Sequence, residues 1–288
     1  MRQHYELGKF YQQYLIHELH FLPRLIHPEL MELRSSHVER TFRSGESFMA
    51  GLYPPVSPNE FLTFTTGSGT LDYLTPDPAM CSELQKSYNI FERSEELRLR
   101  IEHNRILYNE IYKALNITYN NSNWNILGDI LALPYCTSQK LPKSIENIVT
   151  DEIFDQSQQD SAFYFYGIYN VKLGVSSAPL FRELFNLFDN QTSSKRFFLF
   201  SAHDTTLMSI LSTFGYTDKR MPTFRSHLAF EIWEKPEGSG NKYVRVVMNG
   251  EEVDIGEGTE KITIIEYQRF KEKLLNLGIN GFCLEYPF

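Results

Sequence analysis

The stretch Phe197-Phe-Leu-Phe-Ser-Ala-His-Asp-Thr-Thr206 decides the fold of this chain. Four consecutive apolar residues run into a His-Asp pair, and a helical pattern follows at once. Leu207, Met208, Ile210, Leu211 and Phe214 recur at helical spacing, and Gly215 is placed to end that helix. The spacing predicts a buried strand over 197–202 that delivers His203 and Asp204 to its carboxyl end, where a helix begins. In open α/β sheets ligands collect at that edge, and a helix N-terminus favours anions.

A second junction of the same kind lies upstream. Leu30 to Arg34 suits a short strand, and Ser36-His-Val-Glu39 has the pattern of a capping box opening a helix to about Gly51. Tyr53-Pro-Pro55 stops it. This junction brings Arg34 and Arg40 toward the edge expected to hold His203. Ahead of it, residues 1–20 read as an amphipathic helix with Leu7, Phe10, Tyr11 and Tyr14 on one face, broken by Pro23 and Pro28.

Residues 56–80 are rich in Thr, Pro and Gly and read as a long ordered loop. Helical tracts follow over Cys81 to about Asn116, Trp124 to Leu133, Asp151 to Gly167 and Val175 to Phe188. Leu228 to Trp233 and Tyr243 to Met248 read as a hairpin around a turn at 237–241. Residues 264–277 read as a closing helix ending at Gly278. Helices dominate the middle and strands the ends, so the pattern predicts an α/β core with an inserted helical cap.

Composition narrows the function classes. At 288 residues the chain can bury one large core, or a core plus a smaller lobe. A net charge of −8 argues against a nucleic-acid groove or a polybasic membrane patch. No apolar run approaches the roughly 20 residues that span a bilayer. The amino end is polar, unlike a secretory leader. Asn116-Ile-Thr118, Asn120-Asn-Ser122 and Asn190-Gln-Thr192 fit the N-glycosylation pattern, which also arises by chance. His17 and His20 sit one helical turn apart, but no further ligand lies at metal-site spacing.

Ser201-Ala-His-Asp-Thr-Thr206 resembles the His-Asp signature of histidine acid phosphatases, branch two of the histidine phosphatase superfamily. Met1-Arg-Gln-His-Tyr-Glu-Leu-Gly8, Leu33-Arg-Ser-Ser-His-Val-Glu-Arg-Thr41 and Gly51-Leu-Tyr-Pro-Pro55 resemble segments of the prostatic and lysosomal members. Pro134-Tyr-Cys136, Tyr166-Gly-Ile168 and His227-Leu-Ala-Phe-Glu231 resemble further runs of that family, in order along the chain.

The resemblance implies a three-layer α/β/α core with a mostly parallel sheet, formed by 1–55 and 171–288, and a mainly helical cap over 56–170. It implies hydrolysis of small phosphate monoesters through a phosphohistidine, without a cofactor or metal. By position Arg40 matches a phosphate-binding arginine, His203 a phosphate-holding histidine, and Asp204 the acid that protonates the departing alkoxide. It also implies a Cys81–Cys283 disulfide, a secreted or lysosomal location, and a homodimer, since relatives are often dimers. Cys136 matches a bridging position whose partner is Ser226 here.

One expected motif is missing. None of the eight histidines is followed by Gly, so the family's Arg-His-Gly-x-Arg-x-Pro, which ends the first central strand and carries the nucleophile, is not in these residues. The expectation is therefore a truncated chain that lacks that strand and is inactive as written. Two functions stay open: an acid phosphatase, or a phosphate-binding scaffold without turnover.

Overall fold

A computed structural model describes residues 1–55, 62–67, 72–190, 192–236, 238–256 and 260–284. Parts of the 56–80 loop, Gln191 of one glycosylation triplet and Glu237 of the hairpin turn lie outside the described residues.

Helix α1 (Arg2–Tyr11) continues over Gln12–Glu18 as a wider, π-type segment. Strand β1 (Met31–Ser35) and helix α2 (Glu39–Leu52) follow. The two helices cross in direct backbone contact. A Cβ on Gly8 would lie 2.0 Å from the Phe48 carbonyl oxygen, and one on Gly51 would lie 2.1 Å from that of Tyr5. This crossing turns Gly8, Leu7 and Tyr11 inward. Phe10, predicted on the buried face, sits on the far side from Gly8 and is 58% exposed, stacked on Tyr14.

Strand β2 (Thr65–Thr66) precedes a run of helices: α3 (Ser82–Glu92), α4 (Glu95–Ala114), α5 (Leu127–Thr137), α6 (Asp151–Asn170) and α7 (Ala178–Asp189). The tract predicted as one helix from Cys81 is two. The break falls at Arg93, after which Ser94 Oγ caps α4 by accepting the Leu97 N–H. Asp160, wholly buried on α6, accepts bonds from Arg100 Nε (2.6 Å), Asn104 Nδ2 (2.6 Å), Gln156 Nε2 (2.8 Å) and the Tyr108 hydroxyl. A buried carboxylate survives when its lone pairs are met in this way, and here it locks α4 to α6. Side chains of the helical run, such as Tyr108, Trp124 and Leu127, share one continuous core with Phe181, Met208 and Phe270.

Strand β3 (Phe197–Ser201) and helix α8 (Asp204–Thr213) follow, then β4 (Leu228–Glu234), β5 (Lys242–Met248), β6 (Glu251–Glu252), β7 (Ile264–Glu266) and α9 (Tyr267–Asn276). Gly215 and Gly278 take left-handed backbone after their helices, at φ +80° and +88°. Residues 264–266, predicted as helix, pair with β5 instead, because Ile265 is buried opposite Val244.

The strands form two sheets. One is parallel, in the order β2-β1-β3, and the other is antiparallel, with β5 pairing β4, β6 and β7. Among the described residues β3 pairs only with β1, and β4 only with β5. Both are apolar edge strands left half-buried over Phe197–Phe200 and Leu228–Trp233.

Because the α1–α2 contact leaves no room for a methyl group, Gly51→Ala should lower stability by roughly 1–3 kcal/mol. Chemical denaturation monitored by circular dichroism measures it. An unchanged midpoint would contradict backbone contact at this crossing.

Candidate active site

The site grows out of the β1–β3 ladder. The strands pair from Met31↔Phe197 to Ser35↔Ser201, so both end at one rim, and each passes into a helix there. The Ser36 N–H donates to the Ser201 carbonyl at 3.0 Å and extends the pairing one step beyond β1. Ser201 Oγ donates to the Thr41 carbonyl at 2.6 Å and ties the first turn of α2 to β3.

These ties bring together residues 163 positions apart. Arg40 Nη2, from the first turn of α2, donates to His203 Nδ1, at the cap of α8, over 3.4 Å. Ser36 Oγ lies 2.8 Å from His203 Nε2. The His203 N–H donates to Thr206 Oγ1 at 3.2 Å, and the Thr206 hydroxyl donates to the Leu74 carbonyl. Asp204 opens α8, its Oδ1 accepting the Thr205 N–H at 2.8 Å. The predicted residues Arg40, His203 and Asp204 are therefore neighbours. Arg34, from the same segment, instead pairs with Asp72 at 3.5 Å and lies 4.1 Å from the Tyr73 ring centre.

Electrostatics favour a neutral His203 at neutral pH. Burial lowers its pKa, and the Arg40 charge adds to that, while Asp204 and Asp72 act the other way. Asp129 on α5 contributes a further acid. Its pKa is raised by burial and by the Asp204 charge, against the pull of Arg40. A guanidinium, a ring nitrogen and the N-terminus of α8 lie together here, groups that can hold an oxyanion.

Sequence reasoning missed several of these groups. Ser36 matches a capping-box serine, yet Val38 occupies the cap position of α2 without a side-chain bond and Ser36 turns to His203. The predicted box is not formed, because Ser36 still belongs to the strand pairing and lies two residues ahead of the cap. Asp129 and Asp72 carry no pattern that marks them. Away from the site, Cys81 and Cys283 form a disulfide across 202 residues, and Cys136 is free. Ser226 Oγ accepts from Asn249 Nδ2 at 3.3 Å. Among the described residues, the one group of three metal-type ligands is Cys81, Glu83 and Cys283, already consumed by that disulfide. His20 Nδ1 faces the Ile16 carbonyl at 3.1 Å. No described helix is long and apolar enough to cross a membrane.

Comparison with known proteins bears on the family and the fold. The model of the histidine phosphatase superfamily (branch 2) matches residues 1–249, and the chain belongs to that family. It is 24% identical over 266 residues to counting factor 60 of Dictyostelium discoideum, covering 87% of this chain and 61% of that one. It is also 24% identical over 272 residues to mouse (Mus musculus) 2-phosphoxylose phosphatase 1, covering 87% and 54% respectively. The chain thus spans less than two thirds of the length of these relatives. Its fold is similar to that of Hafnia alvei phytase in complex with myo-inositol hexakis sulphate. The TM-score is 0.68 at 15% identity, covering 95% of this chain and 85% of that one.

A pKa lowered by folding means that protonation favours the unfolded chain, where histidine titrates near about 6.5. The contribution of His203 is thus complete above that pH and is lost as pH falls toward its folded value. Thermal midpoints should drop as pH falls below about 6.5. The drop should be smaller in His203→Gln; an equal drop in the variant would contradict a buried neutral ring.

Proposed function

We propose that these residues form the phosphoryl-holding half of an acid phosphatase site acting on small phosphate monoesters. Arg40 grips two phosphoryl oxygens, His203 a third position, and Asp204 hands a proton to the departing alkoxide as the P–O bond breaks. The observation that carries this reading is the contact of Arg40 Nη2 with His203 Nδ1 at the end of paired parallel strands. The names of the relatives, 2-phosphoxylose phosphatase and lysosomal acid phosphatase, support a monoester substrate. The acidic net charge supports a small molecule over a nucleic acid. The helices over 56–170 act in this reading as the cap, with Asp129 closing one side of the pocket.

The phosphohistidine step needs a nucleophile, and His203 is engaged as a holding group. Loss of a nucleophile from a concerted site removes on the order of 10⁶ in rate. The 288 residues alone are therefore proposed to bind phosphate without turnover. A second reading, a phosphate-binding protein that never turns over, is favoured by the lack of a His-Gly pair among the eight histidines. Assay of the longest expressed product that contains these residues separates the two.

For the 288-residue chain, p-nitrophenyl phosphate at mildly acid pH should show no turnover. Orthophosphate should bind, and Arg40→Ala should weaken it by tenfold or more, read by calorimetry. Turnover abolished by His203→Ala would reveal a nucleophile within these residues. Equal phosphate binding in wild type and Arg40→Ala would overturn the pocket.

A further inference from the structure

The hydroxyls beside His203 form a directed chain. A guanidinium has N–H donors and no acceptor, so the bond from Arg40 Nη2 requires a lone pair on His203 Nδ1. A neutral ring then carries its proton on Nε2, and among the described residues the partner of that atom is Ser36 Oγ at 2.8 Å. Ser36 is wholly buried, so its hydroxyl answers to protein partners alone. Its own proton is directed to Thr41 Oγ1 at 2.8 Å, and the Thr41 hydroxyl donates to the Val38 carbonyl at 2.7 Å. Ser35 Oγ, also buried, has the Ser36 carbonyl and Thr41 Oγ1 both at 3.0 Å for its one proton. The donor order runs His203, Ser36, Thr41, Val38.

We infer that Ser36 and Thr41 are positioning residues that fix His203 as the Nε2–H tautomer and leave Nδ1 as its working atom. Arg40 caps the Nδ1 lone pair. An unprotonated phosphoryl oxygen is an acceptor only, so when such an oxygen takes the guanidinium and faces the ring it needs an N–H at Nδ1. His203 meets that need by taking up one proton at Nδ1 from solvent or from the phosphate monoanion. The ring then carries a positive charge, and Ser36 goes on accepting from Nε2 without rearrangement. Phosphate binding and proton uptake at one atom are thereby coupled. The second half of this inference rests on the phosphate-pocket reading above; the tautomer does not.

The test is long-range proton–nitrogen correlation spectroscopy on the 288-residue chain labelled with ¹⁵N-histidine, with His203 assigned by comparison with His203→Gln. Above neutral pH without phosphate, His203 should show a protonated Nε2 and an unprotonated Nδ1. The opposite tautomer, or a mixture, overturns the relay. Saturating orthophosphate should convert Nδ1 to the protonated form; binding with Nδ1 still bare overturns the proton uptake. Ser36→Ala should release the ring into mixed tautomers and weaken orthophosphate about tenfold, while Ser36→Thr, keeping the hydroxyl, restores both. An Ala variant with the wild-type pattern overturns the role of Ser36, and if that variant fails to fold the wild-type spectrum still decides. A correct tautomer with no orthophosphate binding would instead sink the pocket reading and leave the relay standing.

Discussion

The pairing of β1 with β3 is the constraint on which the rest depends. Five residues of each strand run parallel and in register, and the Ser36 N–H carries the ladder one step past the end of β1. Parallel strands with coincident ends deliver their following helices to the same rim, so α2 and α8 start side by side. Arg40 and His203 become partners through that geometry. A slip of one residue would turn every side chain of β1 to the opposite face and part them.

Two supports hold this arrangement in place. Below the sheet, α1 lies on α2 with backbone against backbone at Gly8 and Gly51, which sets the height of the helix that carries Arg40. Above the rim, α5 is fastened to α6 by Gln158 Nε2 donating to the Gly128 carbonyl at 2.7 Å, and α6 packs on α8. Asp129 follows Gly128 directly, so the same fastening sets where its carboxyl meets the field of Arg40 and Asp204. The cost of this architecture is visible at the edges of β3 and β4. Both are apolar and half-buried, and they end their respective sheets among the described residues.

How much of this was legible in the sequence follows from the range of each signal. The strand at 197–201 and the helix after it were readable because an apolar run and a helical period are local. So were the glycine stops at 215 and 278. The strand-to-helix junction brought Arg34 and Arg40 together toward that edge, and only the family resemblance singled out Arg40 of the two. Ser36 was misread because its Ser-x-x-Glu pattern is a genuine cap signal, while its true partner lies 167 residues away. The break at Arg93 and the strand at Ile264–Glu266 were missed for related reasons. A serine cap decides the first, and pairing with β5 decides the second. Asp129 could not be found at all, since its role depends on where three helices stack.

In the proposed site an oxyanion sits between Arg40 and His203. A crystal structure of the chain grown with orthovanadate would test it most directly. The expected result is an anion bonded to the Arg40 guanidinium and to His203 Nδ1, with the Asp204 carboxyl facing its open side. An anion bound elsewhere, or Arg40 still closed on His203 with no anion between them at saturating vanadate, would contradict the central claim.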